Sequence, residues 1–387
     1  MMEFETWWLL ALPMFFGLGW LAARIDIGQL LTESRRVPIS YFRGLNFLLN
    51  EQPDKAVEAF IEASRVNTET VELHFALGGL FRRRGEVERA IRMHQGVLDR
   101  ENLSEEQRLM ALHELGQDYL KAGLLDRAEQ LFSQLLPSHY STEALKFLLE
   151  IYVTEKDWLK AIDTARQLAS SSNEPHSREI SHFYCELAVY ETVHSNPTAA
   201  REHLQQALAA YRKSPRATIL LGDLDAVDGK HEAALQIWKG LEMQSPQHLP
   251  LVGERLLTSH RVLGRMDEAA NLLRGFLARH PSLDMLNVVH QAVMETQGAA
   301  AAYRLVRDEL RRHPTLQGLD KLLEAQQMDV PMERRDDMLL IKNLLHQHAQ
   351  RLAFYQCETC GFKARQFYWH CPACGSWDSY PPRRNEE

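Results

Sequence analysis

Eight alanines recur along this chain at nearly constant spacing, and that period decides what it can fold into. They are Ala56, Ala90, Ala128, Ala161, Ala200, Ala234, Ala269 and Ala302, separated by 34, 38, 33, 39, 34, 35 and 33 residues. Each sits in a similar stretch: QPDKAVEAF, RGEVERAIRMH, AGLLDRAEQLF, EKDWLKAIDTA, SNPTAAREHL, DGKHEAALQIW, GRMDEAANLL and QGAAAAYRLV. Twelve residues upstream, several units carry a small residue (Gly44, Gly78, Gly116, Ala188, Gly222); twelve downstream, three close on Pro246, Pro281 and Pro314. A period of this length marks stacked units, each two short amphipathic helices that cannot bury their apolar faces alone. Small residues on both helices let them approach closely. Phe60, Phe132 and Trp238 follow their alanines by four, share that face, and are expected to pack between the helices.

These eight copies resemble the tetratricopeptide repeat, so the expected fold class is all-α, a repeat solenoid. Two longer spacings place polar insertions at RENLSEE (Arg100–Glu106) and SSSNEPHS (Ser170–Ser177), both expected on loops. After Pro314 the pattern weakens, and two more helices are expected as a terminal cap or bridge. The resemblance implies a groove lined by first helices, where partners bind as peptides or helices. Its groove positions fall on Glu72, Phe75, Arg82, Arg83, His113, Gln117, Lys121, His182, Arg216 and Asp223. From these, Arg82, Arg83, His113, Lys121, His182 and Arg216 are taken as partner-binding candidates. The run FRRRG (Phe81–Gly85) reads either as a solvated face with local salt bridges or as a contact for an acidic peptide.

The N-terminus reads differently. Thr6–Ala23 is 18 uncharged residues, which as a helix would span roughly 27 Å, close to a bilayer core. Trp7, Trp8 and Trp20 lie near its ends, and Pro13 is tolerable in a membrane helix. Glu3 and Glu5 precede it while Arg24, Arg35 and Arg36 follow, which puts the N-terminus outside and the main body in the cytoplasm. A cleaved signal peptide fits poorly, lacking a basic leader.

The C-terminal stretch CETCGFKARQFYWHCPACGSW holds four of the five cysteines. Two C-x-x-C pairs, Cys357/Cys360 and Cys371/Cys374, can close a tetrahedral shell of four thiolates around one metal ion, iron or zinc. Gly361 and Gly375 follow each pair and permit the tight turn that aims backbone N–H groups at sulfur. The surrounding aromatics exceed what so small a module can hide, so it is expected to pack on the final helices. Net charge is −8, and from Arg351 onward five Lys or Arg face four Asp or Glu, which disfavours nucleic acid as a partner. Cys185, in HFYCELA, reads as a small buried hydrophobe. No phosphate loop or H-E-x-x-H is present, and no enzyme activity is expected.

The expected layout is an anchor over 1–23, a connector over 24–36, about eight repeats over 37–314, a helical extension over 315–352 and a rubredoxin-like metal domain over 353–381. This order of parts, with FRRRGEVERAIRMHQ, HFYCELA and YWHCPACGSW, closely resembles the lipopolysaccharide assembly protein B family. The resemblance implies a bacterial inner-membrane adaptor that lowers lipopolysaccharide synthesis. Its implied partners are a membrane AAA+ protease (FtsH type), the lipid A-committing deacetylase (LpxC type) and a lipopolysaccharide-sensing membrane protein. It also implies that Cys357, Cys360, Cys371 and Cys374 are the metal ligands. The competing readings are an assembly platform without a proteolytic role and a rubredoxin-like electron-transfer protein.

Overall fold

The computed structural model describes residues 71–172, 175–326, 334–352 and 354–384, with shorter runs at 15–18, 20, 42–44, 46–47, 50, 52–66 and 331. Most of the expected anchor and all of the connector lie outside these residues. Phe15–Leu18 and Trp20 are helical, and the side chains of Phe15, Phe16, Leu18 and Trp20 are more than half exposed. Among the described residues no helix is long and apolar enough to cross a membrane.

The chain divides into two compact units, residues 1–155 and 156–387. The first contains α1 (Pro53–Val66), α2 (Val71–Arg83), α3 (Val87–Leu98), α4 (Glu105–Lys121), α5 (Leu125–Leu135) and α6 (Ser141–Glu155). The second contains α7 (Trp158–Ser172), α8 (Ser177–Val193), α9 (Pro197–Ala210), α10 (Pro215–Val227) and α11 (His231–Gln244). A 3-10 turn (Pro246–Val252) leads into α12 (Gly253–Val262), α13 (Met266–Arg279), α14 (Leu283–Gln297), α15 (Ala299–Arg312), α16 (Leu316–Gln326) and α17 (Arg335–Leu352). A two-stranded antiparallel ribbon, β1 (Tyr355–Gln356) and β2 (Lys363–Ala364), follows, with Tyr355 opposite Ala364.

All eight aligned alanines are fully buried. The small residues upstream are explained by what a side chain there would strike. A Cβ on Gly44 would lie 2.6 Å from Phe60, on Gly116 2.8 Å from Phe132, and on Gly222 2.1 Å from the Trp238 indole. The ring on the second helix therefore occupies the space that glycine vacates on the first. In the second repeat the ring is His94, 2.3 Å from a Cβ on Gly78. Trp238 also donates its indole N–H to the Ile219 carbonyl at 3.1 Å, so its polar edge is satisfied in the core.

The turn between paired helices is a second repeating device. Gly85, Gly123, Lys156, Ser195, Gly229 and Gly264, each five residues before its alanine, all have φ between 59° and 78°. Around Gly85 the Glu86 N–H bonds the Phe81 carbonyl at 2.9 Å and the Gly85 N–H bonds Arg82 at 3.0 Å. The same pattern surrounds Gly123, Ser195, Gly229 and Gly264. This is a Schellman close, which satisfies the first helix's last carbonyls and favours glycine at its left-handed position. The insertion at Arg100–Glu106 is shorter as a loop than expected. Ser104 and Gln107 form a reciprocal capping box at 3.2 Å, so α4 already begins at Glu105.

Ion pairs link successive first helices at the period of the repeat. In the first unit Arg82 reaches Glu114 at 2.6 Å and Asp118 at 2.8 Å. In the second, Arg216 reaches Glu186 at 2.8 Å, Arg255 reaches Asp223 at 2.6 Å and Arg261 reaches Glu295 at 2.7 Å.

Candidate metal centre

The four cysteines come from two near-identical knuckles. In the first, the Cys357 N–H bonds the Phe362 carbonyl at 3.0 Å and the Gly361 N–H returns to the Cys357 carbonyl at 2.9 Å. In the second, the Cys371 N–H bonds the Ser376 carbonyl at 2.9 Å and the Gly375 N–H returns to Cys371 at 2.9 Å. Gly361 and Gly375 have φ of 76° and 70°, the left-handed geometry each knuckle requires. Two such turns facing each other bring all four Sγ atoms within 4.8 Å of one another. Cys357–Cys374 and Cys360–Cys371 are both 3.8 Å apart. A tetrahedral shell with metal–sulfur bonds of ~2.3 Å has edges of about 3.8 Å, so the donor set fits one ion.

The surroundings favour thiolate. Burial opposes ionisation of Cys357, but Ser379 and the N–H groups of Cys360 and Thr359 outweigh it and bring the thiol down to about 6. Cys374 is lowered by the Ser376 side chain and N–H. The Phe362 N–H also favours a Cys360 thiolate, yet burial and hydrogen bonds to the other three sulfurs push Cys360 up to about 12. Four thiols sharing protons in this way form a site whose charge a cation would balance.

Among the described residues, the ribbon's ring contacts and hydrogen bonds fall on elements that precede the final helices. Its two tryptophans find their ring partners on the side of the second unit built from first helices. Trp377 stacks on His182 of α8 at 4.8 Å between centroids, edges against Phe183 at 5.8 Å, and lies under the Arg216 guanidinium at 5.9 Å. Trp369 stacks on His248 of the 3-10 turn at 5.3 Å. Asp378, in a left-handed backbone conformation, accepts from His182 Nε2 at 2.9 Å. At the far edge, Asp284 of α14 accepts from the Tyr355 hydroxyl at 2.8 Å and pairs with Arg384 at 3.2 Å. The expectation of docking on residues 315–352 is therefore corrected. Flat tryptophan faces pair with the imidazoles of His182 and His248, while His346 of α17 is engaged by Asp320 at 2.7 Å.

The histidine side of this junction is buried. His182 and His248 are buried, and burial lowers His248 to about 4, against the opposing pull of Asp378. Burial raises the Asp378 carboxyl, but the His182 hydrogen bond more than offsets it and leaves the group below its ordinary range. Cys185, fully buried one turn from His182, has its thiol pushed up to about 12 by burial, as an inert core residue would.

The sequence-selected groove residues divide accordingly. His182 and Arg216 face the chain's own ribbon. Arg82 is held by Glu114 and Asp118, so within FRRRG this arginine makes local salt bridges. His113 stacks on Tyr140 at 4.9 Å and lies 3.1 Å from Glu143. Arg83 and Lys121 are exposed. Sequence reasoning missed Asp378, His248, Asp284 and Trp158, whose ring meets Trp377 edge-on at 6.4 Å. Nothing local marks residues that meet across 71 to 219 positions of chain; the tryptophans flanking the last knuckle were the only available signal.

The comparisons with known proteins agree with this architecture. A rubredoxin metal-binding-domain family matches residues 355–381, and a tetratricopeptide-repeat family matches 43–93, 113–175 and 186–244. Lipopolysaccharide assembly protein B of Escherichia coli (strain K12) is 34% identical over 97% of both chains. The protein of the same name from Haemophilus influenzae is 29% identical over 98% of both. The solved Naa15/Naa10 complex with HypK-THB overlaps 80% of this chain and 47% of that chain at TM-score 0.41, too loosely to inform fold or function. With repeats, knuckles and near end-to-end identity in agreement, the chain belongs to the lipopolysaccharide assembly protein B family.

Proposed function

We propose that this protein is a non-enzymatic adaptor in lipopolysaccharide assembly, held at the bacterial inner membrane by its N-terminal segment. In this reading it brings the lipid A-committing deacetylase to an FtsH-type membrane protease, and a lipopolysaccharide-sensing membrane protein restrains it. The observation that carries the reading is the docked ribbon. A metal-clamped module completes a repeat surface, with Trp369 and Trp377 stacked on the buried His248 and His182. That is the construction of a rigid binding platform. Family membership supports the pathway, and the uncharged stretch Thr6–Ala23 supports the tether. Tethering would act by effective concentration, since partners on one membrane meet more often than partners in bulk.

The deciding experiment is the half-life of the deacetylase in cells with the full chain, without it, and with a form lacking residues 1–23. The adaptor reading expects a short half-life only with the full chain. An unchanged half-life without the protein would leave an assembly platform with no proteolytic role. A reversible redox couple in the purified protein, serving a dependent reductase, would favour electron transfer instead.

A further inference from the structure

The last helix of the array is apolar on two sides. α17 reads RDDMLLIKNLLHQHAQRL, with six large hydrophobic residues between Met338 and Leu345. One side faces the array: Ala349 is buried, and His346 meets Asp320 of α16 at 2.7 Å. The other side faces solvent. Leu340, Ile341 and Leu344 are 61%, 54% and 54% exposed. Among the described residues, no other helix from α1 to α17 leaves more than two large hydrophobic side chains exposed. A repeat array ordinarily ends on a polar face, because no further unit stacks there. The ribbon that follows α17 does not cover the stripe, since its ring contacts and hydrogen bonds fall on α8, the 3-10 turn and α14.

The spacing along this side indicates what fits it. Asp337, Ile341, Leu344 and His348 follow one another at intervals of four, three and four residues, and all four are exposed. Those intervals are the seam of a coiled coil, the positions that meet a partner helix. Leu340 flanks the seam beside Ile341. The intervals are the same read from either end, but the ends differ in chemistry: a carboxylate closes one and an imidazole the other. Neither Asp337 nor His348 has an ion-pair partner among the described residues. A second copy laid parallel would set Asp337 on Asp337. Laid antiparallel about the midpoint between Ile341 and Leu344, it sets Asp337 on His348 and Ile341 on Leu344, each contact made twice by two-fold symmetry. The stripe is thus complementary to itself in one direction only. We infer that α17 pairs antiparallel with α17 of a second copy of this chain. The seam is roughly 17 Å long, short for a standard interface, so the pair is weak in dilute solution and forms at high local concentration. The inference does not rest on the adaptor reading, and failure of either leaves the other standing.

The test is sedimentation equilibrium of the metal-loaded full-length protein in density-matched detergent over a wide range of concentration. A monomer–dimer equilibrium is expected. Leu344→Glu, at an exposed position, should keep the thermal transition and weaken the dimer about tenfold or more. Ile341→Lys is the second probe should that variant lose its transition. Asp337→Lys and His348→Glu should each weaken the dimer about threefold, and D337K/H348E, which restores opposite charges across the antiparallel seam, should recover it. Amide exchange in α17 should slow as protein concentration rises. A monomer at every concentration overturns the inference, as does a dimer indifferent to Leu344→Glu. D337K/H348E associating no better than the single changes overturns it too, because the pairing is then not antiparallel. Strong protection of α17 that is independent of concentration would show that lipid, detergent or the chain's own N-terminal segment covers the stripe, and would overturn it as well.

Discussion

Both units tie their first helices together with ion pairs, but only the second also receives the metal ribbon on them. In the first unit Arg82 joins Glu114 and Asp118, and Asp118 meets His94 at 2.5 Å with both side chains fully buried. In the second, His182 and Arg216 lie beneath the ribbon's Trp377, and the metal module becomes the lid of the repeat surface. The difference teaches that the repeat supplies spacing but not purpose. A charged first helix can tie one repeat to the next or receive another domain.

The largest effect expected from breaking this comparison is in the first unit. Removing the Asp118 carboxylate leaves Arg82 and His94 without their shared partner in the core. Asp118→Ala is expected to destabilise the protein by about 3–5 kcal/mol, measured by denaturant unfolding. Loss of under 1 kcal/mol would mean that the network contributes little. Trp377→Ala removes the ring that joins His182, Phe183 and Trp158, and about 3 kcal/mol is expected from the lost packing. That loss should appear as faster hydrogen exchange in α8 and the ribbon, with α2 to α5 unaffected.

Acid should act on the second unit through His248. Its folded-state pKa lies below the ordinary value of 6.5, so the unfolded chain binds the proton more readily. The contribution is present above pH 6.5 and is lost as pH falls toward 4, on the order of 2–3 kcal/mol. His248→Phe keeps a ring against Trp369 and should flatten that dependence; an unchanged profile would assign the titration elsewhere. In the first unit Glu114, which burial would raise but His113 and Arg82 bring to about 2, loses its contribution only at far lower pH. The smallest effect is a gain. Ser195 occupies a left-handed turn position where four other repeats carry glycine, so Ser195→Gly is expected to raise stability by about 1 kcal/mol or less. A decrease in the melting temperature would show that the serine is held there by something other than the turn.

Much of this was legible in the sequence because its physics is local. Ala56 to Ala302 announce the period, Gly222 opposite Trp238 announces the close approach, and paired C-x-x-C announces the metal shell. His94 stands where other repeats have an aromatic ring, and only the fold shows Asp118 beside it, 24 residues on. Lys156 and Ser195 conceal a glycine-type turn behind ordinary residues. The ribbon's seat was the largest miss, since α17 is its neighbour in sequence while His182 and Asp284 are distant. Sequence adjacency pointed to the final helices, and aromatic complementarity decided otherwise.

The central claim is that a metal-held ribbon covers the first-helix side of the second unit. Hydrogen exchange on the full-length protein, with and without a chelator that strips the metal, tests it most directly. The account predicts that metal removal raises exchange in Tyr355–Tyr380, in α8 around His182 and in the 3-10 turn around His248, while α2 to α5 keep their protection. Exchange that rises in the ribbon alone, with His182 and His248 segments unchanged, would contradict it.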